Sequence, residues 1–181
     1  MRDRITNERV AKLHPLVRQE AIDALNEAEA GFPPFVAIRV VQGLRTFAEQ
    51  DALYNQPRDG KDNDGDGKVD ERDETVTHAK GGQSNHNYGL ALDFAILYDR
   101  DRNGTFETLS WDTVKDEDKD GLPDWQEVVK AFTKRGWIWG GNFKSIVDKP
   151  HVEKTFGKGW RDLLALKTRG KVDSQGYVIL K

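Results

Sequence analysis

Cysteine is absent from the 181 residues. No disulfide can brace the fold, so any metal site must be built from His, Asp and Glu. Long apolar runs are missing too. The opening stretch MRDRITNERVAKLHPLVRQEA contains nothing like a signal peptide, and no segment approaches the ~20 apolar residues needed to span a bilayer. These absences predict a chain made in the cytoplasm without a signal peptide and without membrane insertion. At ~100–200 residues per domain, the length predicts one domain over residues 1–181, and a monomer is expected.

Strong charge of one sign is also lacking, since the net charge is −3. That balance is an average of opposites. Residues 59–74 hold eight acids and three bases, and residues 99–127 hold ten acids and four bases, which leaves +8 on the remainder. A basic body suits an anionic partner such as a cell-wall polymer or nucleic acid, and it equally describes a solvated surface.

Periodicity supplies the elements. Val17, Ala21, Leu25 and Ala28 recur at helical spacing after Pro15, and Gly31, Pro33 and Pro34 stop the run. FVAIRVVQG (35–43) is rich in β-branched residues and reads as a strand. Thr46 and Glu49 form a capping box for a helix running to about residue 55. In LALDFAILY (90–98), Leu90, Leu92, Phe94 and Ile96 share one strand face, and Ala91, Asp93 and Ala95 share the other. A helix is predicted from Asp124 to near Gly136, short strands at WIW (137–139) and PHVEKTF (150–156), and a short helix followed by a small hairpin or an extended end in the tail from residue 161. Helices and strands mixed without βαβ alternation predict an α+β domain: a small antiparallel sheet flanked by helices and carrying the metal site, with inserted acidic loops.

A catalytic zinc takes three protein ligands and leaves a fourth position for water. His86, Asp93 and His151 can supply that set, with Gly89 allowing a tight turn between the first histidine and the strand. His14 and His78 read as surface residues. GLRTFAEQDALYNQ (43–56), AKGGQSNHNYGLALDF (79–94) and GWIWGGNFKSIVDKPHVEKTFG (136–157) resemble, in order, the motifs of the zinc-dependent L-alanyl-D-glutamate peptidases. These belong to the lysostaphin and D-Ala-D-Ala-metallopeptidase group, and the resemblance spans most of residues 13–160. It implies zinc held by His86, Asp93 and His151, Asp148 as the base that takes a proton from the attacking water, and Arg45 contacting the substrate carbonyl or carboxylate. It further implies Ser84 and Gln50 as substrate-side or supporting groups. Glu153, on the His151 side of its strand, is the expected partner orienting that ligand.

The acidic stretches carry a second pattern. DNDGDGKVDERD places Asp62, Asp64, Asp66, Asp70 and Asp73 at positions 1, 3, 5, 9 and 12 of a calcium loop, with Gly67 at 6 and the Lys68 carbonyl at 7. Asp116, Asp118, Asp120, Gly121, Leu122, Asp124 and Glu127 repeat it in full. Asp99, Asp101, Asn103, Gly104, Thr105 and Glu107 fit the first nine positions, but Ser110 stands at the twelfth, leaving Asp112 as a substitute. These loops are expected to bind Ca²⁺ and to order the walls of the zinc cleft.

The resulting expectation is a peptidase that acts on the cell wall after release, with peptidoglycan and not nucleic acid as its partner. The bond is L-Ala–D-Glu, and a D-Ala-D-Ala carboxypeptidase is the same-class rival. A non-catalytic zinc- and calcium-bound binding module is the reading from another class, by analogy with the hedgehog signalling domain.

Overall fold

The computed structural model describes residues 1–180. In chain order the helices are α1 (Arg4–Val10), α2 (Pro15–Gly31), α3 (Phe47–Asn55), α4 (Asp124–Thr133) and α5 (Trp160–Thr168). The strands are β1 (Val36–Gln42), β2 (Ala91–Tyr98), β3 (Thr108–Ser110), β4 (Ile138–Trp139) and β5 (His151–Glu153). The chain packs as two units, one from Met1–Leu44 and Gly89–Lys154, the other from Arg45–Tyr88 and the chain beyond Thr155.

The first unit holds the sheet. Among the described residues its order is β1-β2-β5-β4, with β3 also pairing β2, and every pairing is antiparallel. β2 is the centre. Leu90, Leu92, Phe94 and Ile96 are fully buried as their alternation requires, but Ala91, Ala95 and Leu97 are buried as well, so both faces of the strand are covered. The Phe94 ring lies 4.6 Å from that of Trp125 on α4. Burying side chains of this size contributes roughly 1.5–3 kcal/mol each.

α2 begins with Pro15 at its first turn and is capped by His14, whose Nδ1 accepts from the Leu16 N–H at 3.2 Å. The expectation of a surface histidine at position 14 is therefore corrected: the ring is buried because it satisfies a helix terminus. His78 is exposed. α1 and β3 escaped periodicity, being seven and three residues long. Tertiary partners define α1. Thr6 Oγ1 donates to the Ile38 carbonyl and accepts from the Val40 N–H, and Asp3 caps the helix while pairing with Arg39.

In the second unit α3 starts on the expected Thr46–Glu49 capping box. α5 buries Leu163, and the tail closes through a bridge between Val172 and Val178.

Candidate functional site

Pairing of β2 with β5 sets Asp93 directly opposite His151. Their side chains meet, Asp93 Oδ1 lying 3.1 Å from His151 Nδ1, while Glu153 Oε2 lies 2.9 Å from His151 Nε2. Burial alone would lower the imidazole pKa, but the two carboxylates outweigh it and push His151 up to about 9. The same geometry suits a metal. Two donors on a tetrahedral zinc, each about 2.0–2.1 Å from it, lie about 3.3 Å apart. With Glu153 accepting from Nε2–H, Nδ1 is the nitrogen left to face Asp93 and a cation.

Backbone irregularities shape this corner. The register of β1 against β2 shifts between Val40 and Gln42, so a bulge stands opposite Asp93. Such bulges re-aim side chains next to functional sites. Gly140 accepts the Asp148 N–H, and Asp148 in turn accepts the His151 N–H through its carbonyl. A Cβ at Gly140 would stand 2.3 Å from the Asp148 carbonyl oxygen and 3.0 Å from His151 Cβ, so only glycine permits this turn. Asp148 itself is exposed, and the Phe143 ring lies 5.8 Å from the His151 ring. Gly89, at φ +68°, brings its carbonyl to the His14 N–H at 2.9 Å. It is the turn foreseen before the strand.

In the second unit, His86 sits in a short 3-10 turn, Asn85–Tyr88, three residues before Gly89, and is buried. Its carbonyl accepts the Arg45 N–H at 3.0 Å. Asn87 stitches the region together: its Oδ1 accepts from Gly82 and Ser84, and its amide donates to the Arg45 and Thr46 carbonyls. Arg45 and His86 are thereby fixed side by side. Ser84 Oγ accepts the His86 N–H at 3.3 Å, which gives it a place in holding the turn. Of the two roles expected for Gln50, substrate-side or supporting, its contacts are those of a supporting group. It is fully buried, its Oε1 accepts from Arg45 Nη1 at 2.9 Å, and its amide donates to Thr77 and the Ala79 carbonyl.

Gly140, Phe143 and Asn87 were not singled out in the sequence. The paired glycines after Trp139 and the asparagine beside His86 were the available signals.

The acidic loops share one geometry. The first acid of each, Asp62, Asp99 or Asp116, accepts two backbone N–H groups, the second of them from the glycine at position 6. The third position accepts from the fifth and the fifth from the seventh in all three. Gly67, Gly104 and Gly121 take φ of 92°, 89° and 95°. Ligand oxygens approach within 4.8 Å in four groups: Asp62, Asp64 and Asp66; Asp99, Asp101 and Glu107; Asp116, Asp118 and Asp124; and Asp118, Asp120 and Glu127.

The first loop departs from its pattern beyond position 7. Asp70 Oδ1 accepts from the Gly60 N–H, and Asp73 is exposed. The neighbouring Glu74 is buried and accepts from the Asn63 and Glu71 N–H groups, so here it is Glu74 and not Asp73 that turns inward. In the third loop, burial and then the charges of Asp118, Asp120, Asp124 and Asp116 push Glu127 up to about 7.

A buried imidazole held between two carboxylates, with an acid three residues upstream on a glycine-dependent turn, fits a metal-dependent hydrolase. The chain belongs to peptidase family M15 and is a peptidase. The profile of that family described as D-alanyl-D-alanine carboxypeptidase matches residues 77–154, a stretch that contains His86, Asp93, Asp148 and His151. The chain is 40% identical over 141 residues to peptidoglycan L-alanyl-D-glutamate endopeptidase CwlK of Bacillus subtilis strain 168, covering 78% of this chain and 72% of that one. It also aligns with the solved structure of Serratia marcescens L-Ala D-Glu endopeptidase ChiX over 88% of this chain and 90% of that one, with 21% identity and a TM-score of 0.49. Peptidases of family M15 are zinc-dependent. No helix among the described residues is long and apolar enough to cross a membrane.

Proposed function

We propose that this peptidase hydrolyses the stem peptides of peptidoglycan, at the bond between L-Ala and D-Glu, using one zinc ion held by His86, Asp93 and His151. The observation that carries the reading is the set itself. Two imidazoles and one carboxylate able to hold a metal ion fall within the family match, and the 40%-identical relative is named for that bond. Zinc bound there would supply Lewis-acid activation of water and of the scissile carbonyl.

The chain's own residues do the rest. Glu153 holds His151 in one tautomer through Nε2. Asp148, exposed and fixed through its backbone to Gly140 and His151, accepts the proton of the attacking water. Arg45, held by Gln50, binds the substrate carbonyl or carboxylate and opposes the negative charge that develops there. Ser84 secures the turn bearing His86.

We also infer that the three acidic loops bind Ca²⁺. Support comes from the repeated turn geometry and from Glu127, whose Oε2 is buried without a hydrogen-bond partner among the described residues, as an acceptor awaiting a cation would be. The ligands are Asp62, Asp64, Asp66 and the Lys68 carbonyl; Asp99, Asp101, Asn103, the Thr105 carbonyl and Glu107; and Asp116, Asp118, Asp120, the Leu122 carbonyl, Asp124 and Glu127. Calcium orders these segments, and the protein works as a monomer on the wall after release from the cytoplasm.

A second reading, release of terminal D-Ala, is favoured by the description of the matching family profile. Digestion of purified peptidoglycan followed by mass spectrometry separates the two. New N-terminal D-Glu is expected; terminal D-Ala as the sole product would establish the carboxypeptidase instead.

A further inference from the structure

α5 presents two adjacent rows to solvent. Trp160, Leu164 and Thr168 form one, and Arg161, Ala165 and Arg169 the other, each at the four-residue spacing that makes a ridge on a helix. Together they line an open cavity of about 460 Å³. Its shape follows from residue size. Ala165 is the small member between two arginines, so the groove deepens where a longer side chain would have filled it. Leu163 on the opposite side is fully buried and holds the helix to its unit, and Leu164 Cδ1 lies against the turn at Gly82. The guanidinium of Arg161 stacks over the Trp160 ring at 4.4 Å, which holds the ring and the cation as one platform.

The charge here is opposite in sign to that of the acidic loops and of the chain as a whole. Residues 155–181 hold six bases and two acids, while the whole chain is −3. Arg161 and Arg169 are eight residues apart, about 12 Å along the axis at 1.5 Å per residue. That is too far for one phosphate or carboxylate and suits two successive anions of a polymer. An apolar floor with an indole wall accepts the C–H faces of a polyol or sugar backbone, while guanidinium groups match phosphate oxygens in bidentate fashion. Nothing in the hydrolytic apparatus uses these residues.

We propose that the α5 groove is a docking site for an anionic phosphodiester polymer of the cell wall, which holds the peptidase on its insoluble substrate. The identity of the occupant rests on the wall reading above; the groove and its charge do not.

The test uses the full chain sedimented with cell walls, either intact or stripped of phosphodiester polymer with hydrofluoric acid, and with purified poly(glycerol phosphate) as competitor. The expected result is retention on intact walls about tenfold above that on stripped walls, lost on adding the polymer, with R161Q/R169Q behaving on intact walls as the parent does on stripped ones. Hydrolysis of a soluble stem peptide by R161Q/R169Q should equal that of the parent. Equal retention on both walls would overturn the proposal, as would undiminished retention of R161Q/R169Q, or a single-stranded DNA oligonucleotide competing better than the polymer. The competition needs no variant, so a misfolded R161Q/R169Q leaves the test intact. Failure of the wall-peptidase reading would show separately, as no cleavage of the soluble peptide.

Discussion

His151 meets Asp93 through one ring nitrogen and Glu153 through the other, so its proton and any metal ion compete for Nδ1. With the imidazole pushed up to about 9, zinc must displace a proton at neutral pH, and its apparent affinity should rise with pH up to about 9 in a competition titration. Glu153→Gln removes a charge that both raises that pKa and orients the ring. Zinc affinity is expected to fall about 10–100-fold, measured with a chromogenic chelator. Asp148→Ala should keep its zinc while losing about 10²–10⁴ in kcat on a soluble peptide; undiminished hydrolysis would remove Asp148 from the role of base. Gly140→Ala should disable the enzyme without touching a ligand, because its Cβ collides with the Asp148 carbonyl and His151.

On the neighbouring strand β1, Arg39 pairs with Asp3: burial would raise the Asp3 pKa, but hydrogen bonds from Arg39 and Thr6 hold it below the ordinary carboxylate value. A depressed folded pKa contributes stability that is complete above the unfolded value of about 3.9 and is lost as pH falls through the folded one. Acid unfolding of Arg39→Ala should therefore lose that steep low-pH dependence.

β2 leads from Asp93 to two of the three loops. β2 carries Asp93 near one end and runs at the other into Asp99, and Tyr98 donates to Asp124 of the following loop at 3.0 Å. Glu127 has its pKa raised, first by burial and then by four aspartates, so in the calcium-free protein it holds its proton to higher pH than an ordinary carboxyl. A raised carboxyl pKa contributes stability at low pH that is lost as pH rises from about 4.5 to about 7. The melting temperature in EGTA should fall across that interval and should be restored by calcium. No response to EGTA in either melting or activity would contradict calcium binding.

These loops were legible in the sequence because alternate carboxylates around a glycine are a local pattern. That Glu74 rather than Asp73 turns inward in the first loop was not, since it depends on which one receives the Asn63 and Glu71 amides. α1 was illegible because its partners on β1 lie 32 and 34 residues away, and β3 because its 3 residues are too few to show alternation. β2 was read correctly as a strand but not as one covered on both faces, because alternation reports only the residues that must be buried.

The charge of the whole chain is set by what it binds. Three Ca²⁺ would carry the formal −3 to about +3, counting two charges per ion, and leave the basic body facing an anionic wall. Electrophoretic mobility at neutral pH should change sign when calcium replaces EGTA; a mobility that stays anionic would mean the loops are empty. The residues proposed to hold zinc stand out as residue types because histidine is scarce here, at four in the chain, and two of those four, His86 and His151, lie in the motif stretches 79–94 and 136–157. What holds them was not readable: Asn87 behind His86 and Gly140 beneath His151 act through folded contacts that leave no periodic trace.

The most direct test strips the protein with chelator, restores zinc in stoichiometric steps with calcium held constant, and follows purified peptidoglycan by mass spectrometry. The account predicts no cleavage without zinc and new N-terminal D-Glu rising to a plateau at one zinc per chain. Cleavage that survives complete removal of zinc, or products lacking N-terminal D-Glu at the plateau, would contradict it.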